Sequence, residues 1–401
     1  MSYYDLGPFG RPITTSSPEA QTWFDRGLTW VYAFNHEEAI QCFQKALEHD
    51  PDCAMAHWGV AYASGPNYNV PWELMDPNGK AKALAASFDA TKKALDCAAR
   101  ATPVEQALIG ALPVRFPQRD LPADDEDMVA WDKAYTRAMR GIFGKHRGDR
   151  DVRCLFVDAI MNETPWQMWN LATGQPTEGA DTLEAMAVLD EVLETDVASW
   201  DHPGLLHLYV HLIEMSPFPQ KALRAGDRLR ELVPDSGHLV HMPTHIDVQC
   251  GNYHDVMYWN RKAVVADRKF VEREGVMNFY TLYRIHNHHF VIYGAMFLGQ
   301  YTPAMAAAQE LIDTTPEALL RIPSPPMADF LEPFISMKQH VLIRFGKWRE
   351  IIAQELPQDA DLYCSTVAMM LYAKGVAHSV LGEIAEAEKA REAFRLSLIH
   401  I

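Results

Sequence analysis

Histidines concentrate in one stretch of this sequence, and their spacing indicates metal chemistry. Of the 17 histidines, nine lie between residues 203 and 293. His207 and His211 are four residues apart, as are His241 and His245, and 34 residues separate the two pairs. Histidines at i and i+4 project from one helix face and can chelate a single ion. Because about 34 residues is the period of a helix-turn-helix repeat, we expect two neighbouring hairpins to present equivalent pairs.

Three further histidines extend this set. His238 precedes His241 by three residues, as His286 precedes His289, so each of these pairs shares a helix face. The predicted metal ligands are therefore His207, His211, His238, His241, His245, His286 and His289. This number of imidazoles could hold one transition-metal ion with spare ligands, or two ions with about three ligands each.

The ligand type predicts which ions and reactions suit the site. Imidazole binds copper, iron and zinc, whereas the shortage of aligned carboxylates argues against magnesium or calcium. Facing histidine pairs suit a copper or iron centre that handles dioxygen, so we predict a metal-dependent oxidoreductase that acts on a small molecule. Glu214 shares the helix face of His211 and is the candidate catalytic base or additional ligand. With zinc, Glu214 would instead serve a hydrolase.

A purely structural alternative stays open for these histidines. An ancestral repeat could preserve them as groups that bond to backbone and water. Pro243 lies within the helix predicted at 238–250 and removes one of its hydrogen bonds. Either that helix kinks and re-aims His241 and His245, or it starts later and His241 leaves the ligand face.

Helical hairpins must position these side chains, and the clearest hairpin lies near the start of the chain. Seven residues fall at the spacings of the tetratricopeptide (TPR) consensus: Trp23, Gly27, Trp30, Ala39, Phe43, Ala46 and Pro51. The chain thus resembles the TPR family. Its phrases H-L-V-H-M-P-T-H-I and H-N-H-H-F are similar to a TPR-like group with no assigned function. The resemblance implies an all-α, right-handed TPR-like solenoid of about nine antiparallel helix pairs.

Such an array predicts one superhelical domain over residues 1–401. Within it we expect four segments: an extended leader at 1–20, N-terminal repeats with inserted loops at 21–200, histidine-rich central repeats at 201–315, and C-terminal repeats at 316–401. In TPR arrays the first helix of each pair lines a concave groove. The resemblance therefore implies that the histidines face that groove.

Charge and composition restrict the partners. The formal charge of −17 disfavours nucleic acid and anionic membrane, and no apolar stretch reaches the length of a membrane span. Six dispersed cysteines are typical of a reduced, cytoplasmic protein. We expect a small-molecule substrate or a peptide in the groove. The usual TPR occupation, a scaffold or adaptor that binds a partner protein, is the alternative to an enzyme. Long inserts near Gly65 and Thr164 favour a closed pocket over an open channel.

Overall fold

The structure, a computed structural model, describes residues 3–400, and its chain divides into two compact units. The division falls between Cys250 and Gly251, inside the segment expected to form the histidine-rich central repeats. In both units, helices that follow one another along the chain pack side by side. The prediction of an all-α fold built from stacked helix pairs is confirmed.

Unit 1 consists of twelve α-helices among the described residues. One insert also contains a β-hairpin whose two strands have two residues each. The helices are α1 (Pro18–Tyr32), α2 (His36–His49), α3 (Ala54–Ser64), α4 (Pro77–Cys97), α5 (Pro103–Arg115), α6 (Glu126–Lys145), α7 (Arg150–Glu163), α8 (Thr182–Thr195), α9 (Pro203–Ile213), α10 (Leu223–Leu232), α11 (Gly237–His241) and α12 (Pro243–Cys250). Strands β1 (Trp169–Asn170) and β2 (Gln175–Pro176) pair antiparallel.

The first hairpin shows how the local sequence sets the helix boundaries. Ser17 accepts a hydrogen bond from the backbone N–H of Ala20 and so caps α1, whose first residue is Pro18. Asn35 caps α2 in the same way by accepting from the N–H of Glu38. Between the two helices, Phe34 adopts a left-handed backbone with φ of 56°. The chain therefore reverses within three residues and lays α2 along α1.

Small residues allow the first three helices to pack closely. A Cβ atom at Gly27 of α1 would lie 2.6 Å from the Phe43 ring, and a Cβ atom at Gly59 of α3 would meet the same ring at 2.6 Å. Phe43 is fully buried between them. Side chains at either glycine would push the helices apart, so these positions set the interhelical spacing.

Unit 1 closes on itself, because α1 packs against α9 as well as against α2 and α3. The extended leader supports this closure. Arg11 donates to Asp149 and Asp151 at the start of α7, at 2.8 and 2.7 Å. The backbone N–H of Asp5 donates to the Asp235 carboxylate at 2.8 Å, just before α11. The leader thus connects elements that are distant in sequence.

Unit 2 continues the pattern of packed helices. Its helices are α13 (Tyr253–Glu274), α14 (Thr281–Phe297), α15 (Tyr301–Asp313), α16 (Glu317–Leu320), α17 (Met327–Ile335), α18 (Met337–Arg344), α19 (Trp348–Ala353), α20 (Cys364–Val380) and α21 (Ile384–Ser397). Its main core contains Ile292 of α14, Leu311 of α15 and Val341 of α18. Within residues 3–400, no helix combines the length and apolar character that crossing a bilayer requires.

Candidate metal centre

Three histidines from two helices of unit 1 converge. His207 and His211 lie on α9, and His238 lies on α11. One ring nitrogen from each can be chosen so that the three atoms lie within 4.8 Å of one another. All three residues are at most 2% exposed. These three residues, called the histidine trio below, bring together side chains that the sequence separates by up to 31 positions.

The first member of the trio has one nitrogen fixed and the other available. His207 Nδ1 lies 2.6 Å from the backbone carbonyl oxygen of Tyr32, so Nδ1 carries the proton and donates it. Its Nε2 is buried and has no hydrogen-bond partner. Burial lowers the pKa of His207 well below its ordinary value, which keeps the imidazole neutral. A neutral imidazole with a buried lone pair is the form that binds a metal ion.

His211 is oriented in the same way, by a carboxylate. Its Nδ1 lies 2.7 Å from Glu214 Oε1, and its Nε2 is also buried without a hydrogen-bond partner. The second carboxylate oxygen of Glu214, Oε2, lies 2.7 Å from Nδ1 of His245. Burial raises the pKa of Glu214, but the imidazoles of His245 and His211 outweigh that effect and hold it below its usual range. Glu214 is therefore an ionised group that orients two imidazoles.

The interrupted helix around Pro243 brings the next two histidines together. Helix α11 ends at His241 and α12 begins at Pro243, so the helix predicted at 238–250 is broken at Met242. The sequence left open a kink or a late start, and the structure shows a break that keeps both side chains close. Nε2 of His241 lies 2.9 Å from Nε2 of His245. The ring centroids of His238 and His241 are 6.2 Å apart, so this pair adjoins the trio.

Aromatic rings from three separate segments enclose His211. Phe34 stacks on it with 5.5 Å between ring centroids, and Tyr68 lies at 5.1 Å. Trp166 contacts His211 edge-on at 6.0 Å and stacks on Tyr68 at 5.3 Å. Tyr68 belongs to the insert after α3 and Trp166 to the insert after α7. The two inserts therefore meet over the trio, as expected for a closed pocket.

There is little free space beside His207. A cavity beside His207 has a volume of about 10 Å³ and is lined also by His36, Tyr62 and Asp158. That volume corresponds to roughly one water molecule. The trio was expected to face the concave groove of a repeat array. It lies instead in the interior of unit 1, because α1 and both inserts cover it.

The remaining predicted ligands, His286 and His289, lie on α14 in unit 2. Their ring centroids are 5.7 Å apart, and both rings contact Phe334 of α17. They share a helix face, as their spacing predicted.

Two contributors to the site were not predicted from the sequence. Phe34 stacks on the trio, and the carbonyl group of Tyr32 fixes His207. Both residues lie at the end of α1, far from the histidines in sequence. A backbone carbonyl group has no sequence signature, and the left-handed conformation of Phe34 is not readable from its residue type.

Comparison with known proteins supports the repeat assignment. Residues 20–53 match the family model of the tetratricopeptide repeat. This match covers α1 and α2 and confirms the hairpin predicted from Trp23 to Pro51. No curated protein matches the chain.

A solved structure, the crystal structure of the P58(IPK) TPR domain, is similar over 94% of this chain and 92% of its own, with 16% identity and a TM-score of 0.21. That TM-score is too low to transfer a shape or a function. The family match therefore extends over residues 20–53, and the rest of the chain is all-α hairpins. The chain contains one recognised tetratricopeptide repeat, at residues 20–53, which α1 and α2 form.

Proposed function

We propose that this chain is a partner-binding scaffold that carries a buried transition-metal ion in unit 1. One observation carries the metal part of the proposal: Nε2 of His207 and Nε2 of His211 are buried without hydrogen-bond partners, and both residues belong, with His238, to a cluster in which one ring nitrogen from each lies within 4.8 Å of the others. Leaving two buried polar atoms without partners costs about 1–3 kcal/mol each, and metal coordination removes that penalty. Copper, iron and zinc all accept such a donor set.

The residues around the trio support tight binding. His207 is held by a carbonyl group and His211 by a carboxylate, which are the two usual partners of metal-bound histidines. Because α9 and α11 each contribute ligands, an ion would tie the two helices together. When bound, the metal would supply Lewis acidity or, for copper and iron, one-electron chemistry.

The enclosure favours a structural ion over turnover of a substrate. The cavity beside His207 is about 10 Å³, far below the size of an organic substrate. Both oxygens of Glu214 already contact imidazoles, which leaves it poorly placed as the catalytic base of a hydrolase. A copper or iron oxidoreductase acting on a small molecule would require the inserts that carry Tyr68 and Trp166 to open.

Metal analysis of protein purified without an affinity tag tests the proposal. We expect at least about one equivalent of copper, iron or zinc in the wild type, since a multi-imidazole site retains such ions. The variants His207→Ala and His211→Ala should lose it, while His254→Ala, at an exposed histidine, should not. A content below about a tenth of an equivalent after reconstitution would contradict the metal proposal.

A surface of unit 2 supports the proposal that the chain is a partner-binding scaffold. The exposed face of α13 carries Tyr258, Arg261, Lys262, Val265 and Arg268, beside a groove of about 420 Å³ shared with α14 and α15. Arg268 pairs with Glu310, the carboxylate that lines the groove. In a chain of net charge −17, this basic and partly apolar surface suits an acidic segment of a partner protein that also carries aliphatic side chains.

Fluorescence anisotropy with a labelled peptide of alternating glutamate and leucine tests this surface. We expect saturable binding that weakens as salt increases. The double change Arg261→Glu with Lys262→Glu should reduce the affinity roughly tenfold or more, since it reverses two charges in the groove. Lys389→Glu, at an exposed lysine outside that groove, is the matched control. Equal binding by all three proteins would exclude this surface.

A further inference from the structure

The pair formed by His241 and His245 resembles the trio in how its nitrogens are arranged. Glu214 contacts His211 through Oε1 and His245 through Oε2, each time at Nδ1 and each time at 2.7 Å. One carboxylate thus directs the Nε2 atoms of two imidazoles away from itself. The first of these Nε2 atoms, in His211 of the trio, is buried without a hydrogen-bond partner, and the second lies 2.9 Å from Nε2 of His241.

The local backbone is compatible with this approach. The break at Met242 leaves the carbonyl group of His241 outside a continuous helix, where it accepts from the Thr244 hydroxyl at 2.6 Å. Pro243 has no N–H and begins α12 at a position where none is needed. His241 and His245, four residues apart, remain neighbours across the break. Pro243 is therefore compatible with a close pair.

From this arrangement we propose that His241 and His245 form a second metal position beside the trio, so that the centre is binuclear. The inference rests on the proposed metal binding by the trio. Two metal–nitrogen bonds of about 2.0–2.1 Å at a tetrahedral angle place their nitrogens roughly 3.3 Å apart. The observed 2.9 Å separation reaches that value with a small rotation of either ring. In the absence of an ion, the same two atoms share one proton.

The two positions are electrostatically coupled. Glu214 lies between them and its negative charge favours a cation in each, while the two cations repel each other. Occupation of one position therefore weakens binding at the other. Because the trio offers three ligands that are at most 2% exposed, its position fills first, and the pair fills at a higher metal concentration.

Titration of the chelator-treated full-length chain with Co²⁺, followed by equilibrium dialysis and elemental analysis, tests the inference. We expect two equivalents bound in two steps for the wild type. His245→Ala should abolish the weaker step and keep the tighter one, and the conservative His245→Gln should do the same if the alanine variant fails to fold. His254→Ala should bind two equivalents.

Each contrary result has a distinct meaning. A wild type that saturates at one equivalent, or a His245→Gln variant that still binds two, overturns the second position and leaves the trio intact. A wild type that binds no ion overturns the proposed metal function as well. A separate readout uses Cu²⁺: two adjacent ions should give a paramagnetic resonance signal with fewer spins than the copper content, whereas a full spin count would contradict adjacency.

Discussion

His207 Nδ1 lies 2.6 Å from the carbonyl oxygen of Tyr32, a residue 175 positions earlier in the chain. This hydrogen bond joins α9 to the end of α1, the first helix of the recognised repeat. It fixes the tautomer of His207 and leaves its buried Nε2 as the nitrogen with a lone pair. The candidate site therefore depends on unit 1 closing upon itself, and several measurable consequences follow from that dependence.

Replacing Glu214 with Gln should weaken metal binding about 10- to 100-fold, as loss of a partner that orients a ligand usually does. The amide has nearly the same size, but it can accept only one of the two imidazole N–H groups through its oxygen. Competition with a coloured chelator would measure the affinity. Glu194→Gln, at an exposed glutamate of α8, is the control, and equal affinities for both variants would argue against an orienting role.

Replacing Trp166 with Ala should accelerate removal of the ion by a chelator roughly tenfold, equivalent to about 1.4 kcal/mol in the barrier. The indole stacks on the buried Tyr68 ring and covers His211 edge-on. Stopped-flow mixing of loaded protein with chelator gives the rate. Leu171→Ala changes a highly exposed residue of the same insert, so its rate should match the wild type. If both variants release at the wild-type rate, the ion leaves by another path.

Replacing Arg11 with Ala should destabilise the protein by about 3–5 kcal/mol, because it removes the guanidinium group from a buried carboxylate. Asp151 would keep only its contacts with Tyr32 at 2.7 Å and His202 at 3.2 Å. Urea unfolding measures the change. Arg100→Ala removes an exposed ion pair with Asp52 and should change stability by less than about 1 kcal/mol. Similar values for the two variants would show that the leader contributes little.

Replacing Gly27 with Ala should destabilise the protein by about 1–3 kcal/mol through overpacking against Phe43. Gly110 lies in the interior of α5, and nothing would lie within 4 Å of a Cβ atom added there. Gly110→Ala should therefore stabilise the protein by up to about 1 kcal/mol, since alanine favours the helix. Thermal unfolding distinguishes the two changes by their opposite sign, and a shift of the same sign in both would contradict the packing argument.

Asp267 should make the stability of the protein fall as pH rises from about 4 to about 6. Burial raises its folded-state pKa to about 6 from the ordinary 3.8, although Asn287 and Tyr280 donate hydrogen bonds to it. Below both values the carboxyl is protonated in both states and its stabilising contribution is complete. Above pH 6 the folded protein must hold a buried charge, which removes roughly 3 kcal/mol at about 1.4 kcal/mol per pKa unit.

The variant Asp267→Asn lacks this titration. Its free energy of unfolding, measured in urea at pH 4 and pH 7.5, should fall less than that of the wild type over the same interval. Asp313→Asn, at an exposed position of α15, should follow the wild type. A wild type and an Asp267→Asn variant with the same pH dependence would contradict the raised pKa.

The sequence allowed the helical hairpins to be predicted, because consensus glycines, capping residues and prolines act locally. Gly27, Ser17 and Pro51 each set a helix contact or boundary through their own stereochemistry. The grouping of His207 with His211 was predictable for the same reason, since both lie on one helix. Convergence of His238 with them was suggested only indirectly, because His238 precedes His241 by three residues and the repeat period relates His241 to His207.

The enclosure of the site was harder to predict, because it depends on contacts between distant segments. Phe34, Tyr68 and Trp166 contact His211 from three parts of the chain. The residues next to each of them in the sequence give no indication of these contacts. The helix break at Met242 was foreseeable from Pro243, but its outcome was not. Whether the two imidazoles separate or approach depends on backbone angles that residue type alone does not determine.

The closure of α1 onto α9 has a consequence for protein engineering. An excised peptide spanning residues 203–250 would contain every imidazole of the trio and of the pair, yet it would lack the Tyr32 carbonyl and the Phe34 ring. Grafting those helices onto another scaffold would transfer the ligands without the groups that orient them and exclude water from them. The smallest transferable piece is the closed unit, leader included.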